Sequence, residues 1–405
     1  MLDRSYKKDP YTLVMLTLDA HSIGSVERIK SRFSKIYPEL EIIVHAAASW
    51  EEDPSSLLKT KEDLARANMV LITLVFLEDH ISAILPDLKK AREKCDLMLG
   101  LVSSKEIVNL TKMGGLDMSK PSSGVLKFLK KLRGDKNKVT GGEKQMAILR
   151  QIPKVLKFIP GKAQDLRAYF LSMQYWLAGS EENIESLFCY LLSRYSSLHN
   201  SSKVEIKSPV EYPETGLYHP DIPKKITENI SEIPFAKHSI GTVGLLLMRS
   251  YVLSGDTAHY DQVIRSLEAQ GLNVIPTFAA GLDARPAINK YFVQNAKASI
   301  DTFLSLTGFS LVGGPAYNSS KAAEEALAEL DVPYIAAHAI EFQNLNQWDK
   351  SDGGLNPIET TILVSLPELD GATNPTVFGG RLGEEGGCSC CVQLRTGNEK
   401  AFDMV

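Results

Sequence analysis

The sequence predicts an α/β protein: an N-terminal open parallel sheet of the Rossmann or flavodoxin type, a helical connector and a second α/β domain. In both halves of the chain, short apolar runs alternate with segments of helical periodicity. This alternation is typical of a parallel sheet with helices on its faces. The chain has 405 residues, 44% of them hydrophobic, which is enough for two or three domains.

Residues 1–118 are predicted to form the first domain. Residues 22–37 place apolar side chains at helical intervals, and residues 69–76 are apolar throughout, as in a strand buried on both faces. Strands are expected at 12–18, 41–46, 69–76 and 96–102, and helices at 22–37, 61–67 and 81–94.

Residues 119–195 are predicted to be a helical segment. Ser180, followed by Glu181 and Glu182, is typical of an N-cap with acidic residues in the first turn. Helices are expected at 125–132, 144–158, 163–177 and 181–195. Residues 196–238 contain scattered Ser and Pro, and they are interpreted as a loop-rich linker.

From residue 239 to residue 378 the alternation of strands and helices resumes, which predicts the second α/β domain. Strands are expected at 240–248, 273–278, 301–306 and 332–336, and helices at 257–270, 286–294 and 321–330. Residues 379–405 are rich in Gly and Cys and show no periodicity. They are interpreted as an unstructured tail that is foreign to the domain before it.

The composition excludes several classes of protein. Lys and Arg number 45 against 49 Asp and Glu, so the net charge of −4 gives no support to nucleic-acid binding. No run reaches the roughly 18 apolar residues of a membrane span, and the first ten residues lack a secretory apolar region. Five cysteines in a chain without a secretory signal argue against a disulfide framework. A cytoplasmic location is therefore predicted.

Ligands of open α/β sheets bind beyond the carboxyl ends of the strands. The loop at 19–24 has a single glycine, so it does not predict a dinucleotide site. In Glu78-Asp79-His80, adjacent side chains seldom point at one ion, so no metal site is predicted. The polar residues expected at the carboxyl ends are interpreted as solvated loop residues: Asp19, His21, His45, Glu78, Asp79 and His80.

Residues 120–157 form a strongly basic stretch, with eleven Lys and Arg and only Asp135 and Glu143 as acids. A solvated helical face, a docking site for an acidic partner and a contact with an anionic membrane all remain open. Cys388-Ser389-Cys390-Cys391 lacks a second pair of ligands, so a reactive tail is favoured over a metal site.

Two turns in the second half carry candidate ligand groups. Residues 313–318 could cradle an anion with backbone N–H groups, but they lack the Lys-Ser/Thr of a P-loop, and a structural turn is favoured. Asp283 precedes a predicted helix with Pro286 in its first turn and is interpreted as an N-cap. Arg285 could hold a carboxylate with two hydrogen bonds.

Several long strings in the second half resemble those of the magnesium chelatase large (H) subunit family, which is related to the large subunit of aerobic cobalt chelatase. The segment at 162–195, with Tyr175-Trp176-Leu177-Ala178-Gly179-Ser180, also matches, and the N-terminal part resembles the domain that precedes the common chelatase region. The strings are Gly216-Leu217-Tyr218-His219-Pro220, residues 267–276, 280–288 and 306–317, and Pro367-Glu368-Leu369-Asp370-Gly371-Ala372-Thr373.

The resemblance implies a role in metal insertion into a tetrapyrrole. Members of this family bind protoporphyrin IX and work with an ATPase motor of two smaller subunits, which uses ATP to drive insertion of Mg²⁺ toward chlorophyll and bacteriochlorophyll. The family residues assigned to the insertion cavity lie beyond the match, so no catalytic residue is predicted here. Arg285 and Arg249 are the candidates for binding tetrapyrrole propionates.

The match ends near Phe378, and the family chain is much longer, so the sequence is interpreted as an N-terminal and truncated portion whose reading frame changed near residue 381. Two functions stay open: participation in chelation, and a fragment that binds tetrapyrrole or the motor subunits without catalysis. A periplasmic-type binding fold for sugars or amino acids is disfavoured by the absence of a signal peptide.

Overall fold

The computed structural model describes residues 10–18, 21–50, 53–120, 152–153, 156–157, 159–198, 205–308, 310–314 and 317–381. The chain divides into two compact units, Met1–Glu211 and Tyr212–Val405. The helix predicted at 125–132, nearly all of the one at 144–158 and the tail from residue 382 lie outside the described residues. No helix of the described part combines the length and apolarity that a membrane crossing requires.

The first unit contains a six-stranded sheet in the order β2-β1-β3-β4-β5-β6. The first four strands of that order are parallel, and β5 and β6 continue it antiparallel. Its elements are β1 (Tyr11–Thr17), α1 (His21–Ile36), β2 (Leu40–Ala46), α2 (Pro54–Arg66), β3 (Met69–Thr73), α3 (Glu78–Lys94), β4 (Leu97–Leu101), α4 (Lys105–Val108), β5 (Lys112–Met113), β6 (Leu116–Asp117), α5 (Lys162–Ala178) and α6 (Glu181–Tyr195).

Helices cover both faces of this sheet, so β1, β3 and β4 are buried along their whole length. One face packs against α1 through Val26, Ile29 and Phe33, and the other packs against α3 through Ile84 and Leu88. Helices α5 and α6 share the core of the α1 face. The helical segment predicted after the first sheet thus completes the hydrophobic core of that sheet.

Local sequence explains how α6 begins and docks. The Ser180 hydroxyl accepts a hydrogen bond from the Asn183 backbone N–H at 3.2 Å, which confirms the predicted N-cap. Arg32 on α1 donates to Glu181 at 2.7 Å and to Glu185 at 2.6 Å. Arg28 adds a further ion pair with Glu181 at 2.5 Å. These bonds tie the first turn of α6 to α1.

The second unit contains a seven-stranded sheet in the order β17-β16-β13-β9-β10-β7-β8. Its strands are β7 (Thr215–Tyr218), β8 (Ile226–Thr227), β9 (Gly241–Met248), β10 (Leu272–Ala279), β13 (Thr302–Ser305), β16 (Tyr334–Asn344) and β17 (Thr373–Arg381), with small hairpins of β11 (Val293–Gln294) with β12 (Lys297–Ala298) and β14 (Gly313–Gly314) with β15 (Tyr317–Asn318).

The helices of the second unit follow the strands. They are α7 (Arg249–Ser254), α8 (Ala258–Ala269), α9 (Arg285–Tyr291), α10 (Ser320–Leu330), α11 (Leu345–Lys350), α12 (Pro357–Glu359), a π-helix at Thr360–Ser365 and α13 (Leu366–Asp370). Strands β9, β10, β13, β16 and β17 are parallel, and β7 and β8 add an antiparallel pair beside β10.

The predicted α/β class is confirmed, and the strand order specifies it further. Numbered from the first parallel strand of each unit, the parallel strands run 2-1-3-4 in the first unit and 2-1-3-4-5 in the second. This is the flavodoxin-like order rather than the Rossmann order. The segment at 196–238, interpreted as a linker, contains β7 and β8 of the second sheet. The division of the chain into the five predicted segments stays a prediction.

Candidate functional site

The carboxyl ends of β9 and β13 are where the fold of the second unit favours ligand binding. In the 2-1-3-4-5 order, the chain reverses direction across the sheet between these two strands, which opens a crevice beyond their ends. Strand β9 leads directly into α7, while β10 and β13 lead into the loops at 280–284 and 306–312. The residues on these three connections form the candidate site.

The two loops are joined across the end of β9, which lies between β10 and β13. The Ala284 N–H donates to the Leu311 carbonyl at 2.9 Å, and the Gly313 N–H donates to the Leu282 carbonyl at 2.6 Å. Asp283 and Val312 form an isolated antiparallel bridge at the same place. Backbone hydrogen bonds therefore brace this edge of the sheet.

A buried carboxylate holds the loop that follows β13. Asp370, at the end of α13, is 2% exposed. It accepts hydrogen bonds from the Leu311 N–H at 2.7 Å and from the Ser310 hydroxyl at 3.1 Å. Burial raises the pKa of Asp370, against the effect of these two donors. Sequence reasoning did not find this contact, because its partners lie 59 and 60 residues away along the chain.

His338 is a second buried polar group at this edge. It lies two residues past Ala336, the partner in β16 of Ser305 at the end of β13. The imidazole is 2% exposed, and neither ring nitrogen has a hydrogen-bond partner. A Cβ placed on Gly308 would lie 3.5 Å from its Nδ1. Burial lowers the pKa of His338 to about 4, so the ring is neutral near pH 7.

The two predicted arginines follow neighbouring strands. Arg285 lies on the connection after β10 and is bound to Asp283, with Nε–Oδ1 at 2.9 Å and Nη2–Oδ2 at 2.7 Å. Arg249 follows β9 and donates to the backbone carbonyls of Pro213 and Tyr212 at 3.2 and 3.3 Å. Arg285 is thus held by a carboxylate, and Arg249 fixes the backbone that leads into β7.

Asp283 was predicted to be the N-cap of the following helix, but it lies one residue before the N-cap position. Helix α9 begins at Arg285, and Ala284 occupies the N-cap position. The Asp283 carboxylate accepts from the Arg285 N–H at 3.0 Å, so it still satisfies one N–H of the first turn. Pro286 lies in that first turn, as predicted.

Four of the six polar residues predicted at the carboxyl ends of the first sheet have described side chains. Glu78 and Asp79 are exposed, while His80 is buried and makes an edge contact with Trp50 at 5.6 Å. His45 is buried and paired with Asp63 at 2.9 Å. Asp19 and the His21 side chain lie outside the described residues. Within the described ranges, no group of three or more His, Cys, Asp or Glu could hold a metal ion.

The string Gly216-Leu217-Tyr218-His219-Pro220 joins the first strand of the second unit to α8. The Tyr218 hydroxyl contacts Asp261 at 2.6 Å, and the His219 Nε2 contacts Glu268 at 2.9 Å. A Cβ on Gly216 would lie 2.5 Å from the ring of Phe278. The string therefore has a structural role, which its residue types did not indicate because the partners lie 43 to 62 residues away.

The other residues that the sequence analysis singled out either have structural roles or lie outside the described part of the chain. Gly313 and Gly314 form the β14–β15 hairpin, although residues 315–316 are not among those described. Burial raises the pKa of the Cys95 thiol to about 11 and that of the Cys189 thiol to about 12. The basic stretch from 121 to 150 and Cys388, Cys390 and Cys391 lie outside the described residues.

Comparison with known proteins assigns a relationship to both units. A family described as CobN/Magnesium Chelatase matches residues 173–397, and a domain of unknown function matches residues 12–170. The catalytic subunit of cobaltochelatase from Mycobacterium tuberculosis has a similar fold, with a TM-score of 0.51 at 15% identity over 93% of this chain and 25% of that one.

Three sequence relatives are magnesium-chelatase H subunits. That of Cereibacter sphaeroides is 54% identical over 95% of this chain and 33% of its own length. That of Rhodobacter capsulatus is 52% identical over 95% of this chain and 32% of its own length. The chloroplastic subunit ChlH of Oryza sativa subsp. indica is 35% identical over 79% of this chain and 24% of its own length. The chain thus spans about a third of the two bacterial relatives.

Proposed function

The chain belongs to the CobN/magnesium chelatase family, and we propose that it works as part of a magnesium chelatase H subunit. In this role it takes part in the insertion of Mg²⁺ into protoporphyrin IX, together with ATP-driven partner subunits, in chlorophyll or bacteriochlorophyll synthesis. The observation that carries the proposal is the 54% identity to a magnesium-chelatase H subunit over 95% of the chain. We also propose that the protein is located in the cytoplasm.

The reaction sets three physical demands. Mg²⁺ loses its water ligands reluctantly, so insertion needs groups that replace them. The macrocycle must lose its pyrrole N–H protons, which calls for positioned bases. Its two propionates need cationic partners, and guanidinium groups suit carboxylates best. The described residues offer groups for the third demand, so we propose that this chain contributes to tetrapyrrole binding.

Arg285 is the first candidate for a propionate contact. Its side chain is 43% exposed, and its bond to Asp283 holds the guanidinium at the carboxyl edge of the sheet. A propionate would add to or compete with the Asp283 carboxylate. Arg249 is the second candidate, although its two backbone contacts give it a structural role as well.

An absorbance titration with protoporphyrin IX tests the binding role. The chain should shift the main porphyrin band in a saturable way, and Arg285→Ala should weaken the affinity by about tenfold, as expected for one charged hydrogen bond. Asp283→Asn is the matched variant: it removes the competing charge but keeps an acceptor for the Arg285 N–H, so it should tighten binding. Equal affinities for all three proteins would remove Arg285 from the proposal.

A turnover assay separates the two functions that the sequence leaves open. The chain is combined with the ATPase motor subunits, ATP, Mg²⁺ and protoporphyrin IX, and formation of the magnesium porphyrin is followed by fluorescence. Product formation would assign catalysis to this chain. Porphyrin binding without product would favour the alternative, a non-catalytic fragment that binds the tetrapyrrole or the motor subunits. Absence of both would contradict the proposal.

A further inference from the structure

The first unit has a switch point of its own, between the carboxyl ends of β1 and β3. Helix α1 packs on one face of the sheet through Val26 and Ile29, whereas α3 packs on the other through Ile84 and Leu88. Helices that leave two neighbouring parallel strands toward opposite faces open a crevice between their first turns. The contacts proposed above for Arg285 and Arg249 lie in the second unit and do not involve this edge.

An unsatisfied buried hydroxyl lies at the carboxyl end of β3, beside this switch point. Thr73 is the last residue of β3, and it pairs in register with Thr17, the last residue of β1. Its side chain is 0% exposed, and its Oγ1 has no hydrogen-bond partner. A buried hydroxyl without a partner lowers the stability of the fold, whereas a methyl group of the same shape would not. A ligand atom that bonded to Thr73 would remove this cost.

The loops around the crevice hold an unfavourable backbone conformation. Leu74, with φ of 59°, and Val102, with φ of 43°, follow the ends of β3 and β4, and both occupy the left-handed region that bulky side chains avoid. They are held by hydrogen bonds from the Leu74 N–H to the Val102 carbonyl at 3.0 Å and from the Ser104 N–H to the Val75 carbonyl at 2.9 Å. Such strain is typical of positions that a site requires.

Two large apolar side chains follow on the same connection. Phe76 is 50% exposed and Leu77 is 49% exposed, three and four residues after Thr73. Adjacent exposed apolar residues beside a crevice are typical of a surface that a ligand covers. The edge therefore combines an apolar rim with one buried polar group.

We propose that the crevice between β1 and β3 is a binding site for a flat, largely apolar molecule with a hydrogen-bonding atom at its edge. Phe76 and Leu77 cover the apolar faces, and the edge atom bonds to the Thr73 hydroxyl. The backbone hydrogen bonds between the loops at Leu74 and Val102 hold the rim in place. A heterocyclic cofactor and a tetrapyrrole share this chemistry.

Lumiflavin, a neutral flat heterocycle with polar edge atoms, is the probe. Its fluorescence is titrated with the whole chain and with two pairs of variants. Phe76→Ser combined with Leu77→Ser should weaken binding at least tenfold, while Ile240→Ser, which changes an 81% exposed residue of the second unit, should not. Thr73→Val should weaken binding about fivefold and raise the Tm of the free chain. Ser172→Ala removes another buried unpartnered hydroxyl, on α5, so it should raise the Tm without changing affinity.

Saturable binding with this variant pattern supports the site, and competition by protoporphyrin IX would then identify the tetrapyrrole as its ligand rather than another heterocycle. No saturable binding, or equal affinity of wild type and the Phe76/Leu77 double variant, would overturn it. An unchanged affinity of Thr73→Val would overturn the role of the hydroxyl. Because the Arg285 titration uses the second unit, failure of one proposal is distinguishable from failure of the other.

Discussion

The first four parallel strands have the same order in the two units, but the carboxyl edges of the two sheets differ in kind. In the first unit the edge carries exposed Phe76 and Leu77 on a backbone held in a strained conformation at Leu74 and Val102. In the second unit the loops are braced by a buried Asp370 and by the Asp283–Arg285 ion pair. A shared topology thus fixes where a site can form, while the loop residues decide its chemistry.

The two units also differ in how a buried histidine is hydrogen-bonded. His45 in the first unit has Asp63 as a partner at 2.9 Å, whereas neither ring nitrogen of His338 in the second unit has a hydrogen-bond partner. A paired imidazole stabilises a fold, and an unpartnered one lowers its stability. The predictions below test whether these differences have measurable consequences.

The largest effect is expected from His338 below neutral pH. Its pKa is about 4 in the folded chain against 6.5 for an unperturbed histidine, so between these values the unfolded chain binds a proton that the folded chain does not. The second unit should therefore lose about 3 kcal/mol of stability as the pH falls from 6.5 to 4, and none above that window.

Urea unfolding at several pH values, followed by the emission of Trp348 in the second unit, measures this loss. His338→Leu should flatten the profile and stabilise the unit near pH 7. Asp370, whose pKa is raised by burial, contributes with the opposite sign, so the comparison is made between wild type and His338→Leu. Parallel pH profiles of the two proteins would show that the imidazole is satisfied in solution.

The backbone of Gly216 lies so close to the Phe278 ring that a larger residue at this position should destabilise the second unit. A Cβ there would lie 2.5 Å from the buried Phe278 ring, so Gly216→Ala should destabilise the second unit by about 2–3 kcal/mol. Gly100→Ala should act similarly on the first unit, since its Cβ would lie 2.8 Å from the Ile107 carbonyl oxygen.

Gly353→Ala is the control for both, because the nearest atom to its Cβ is 3.9 Å away. Denaturant midpoints that are the same for Gly216→Ala and Gly353→Ala would contradict the close packing of β7 against β10.

A smaller effect is expected from the N-cap of α6 in the first unit. Ser180→Ala removes the acceptor of the Asn183 N–H and should cost about 1 kcal/mol in thermal unfolding. Ser180→Thr keeps the hydroxyl and should stay close to wild type. If both variants lost the same stability, packing around residue 180 rather than capping would explain the loss.

The smallest effect is expected from the ion pairs between α1 and α6. Arg32→Ala breaks the bonds to Glu181 and Glu185 and should cost about 0.5–1 kcal/mol at low salt. The loss should shrink in 1 M NaCl because salt screens partly exposed pairs. Lys30→Ala, which removes a single exposed pair with Glu27, should have no measurable effect. A loss that is independent of salt would point to packing of the Arg32 stem instead.

The sequence was most informative where local patterns decide the structure. The apolar runs that became β1, β3, β9 and β10 predicted parallel sheets, and Ser180 predicted a helix start. It could not reveal β7 and β8, because β7 is only four residues long and pairs with β10, about 60 residues later, while the two-residue β8 pairs with β7 alone.

The candidate sites were predictable only in part. The position of Arg249 and Arg285 after neighbouring strands follows from the alternation of strands and helices, but the Asp283 partner of Arg285 changes what it can bind. His338 lies two residues beyond the strand predicted at 332–336, and Thr73 lies inside the strand predicted at 69–76, where it looks like an ordinary strand residue. Their lack of hydrogen-bond partners is a property of tertiary packing, so no spacing of residues indicates it.

The short antiparallel strands have a consequence for how copies of the chain meet. Strand β6 and strand β8, each two residues long, close one side of each sheet, so that side offers a neighbouring molecule almost no free backbone to pair with. The opposite sides end in β2 and β17, which are seven and nine residues long. Among the described strands, β2 and β17 therefore offer the longest edges for strand addition, and a lysine placed on the outer side of either one should disfavour it.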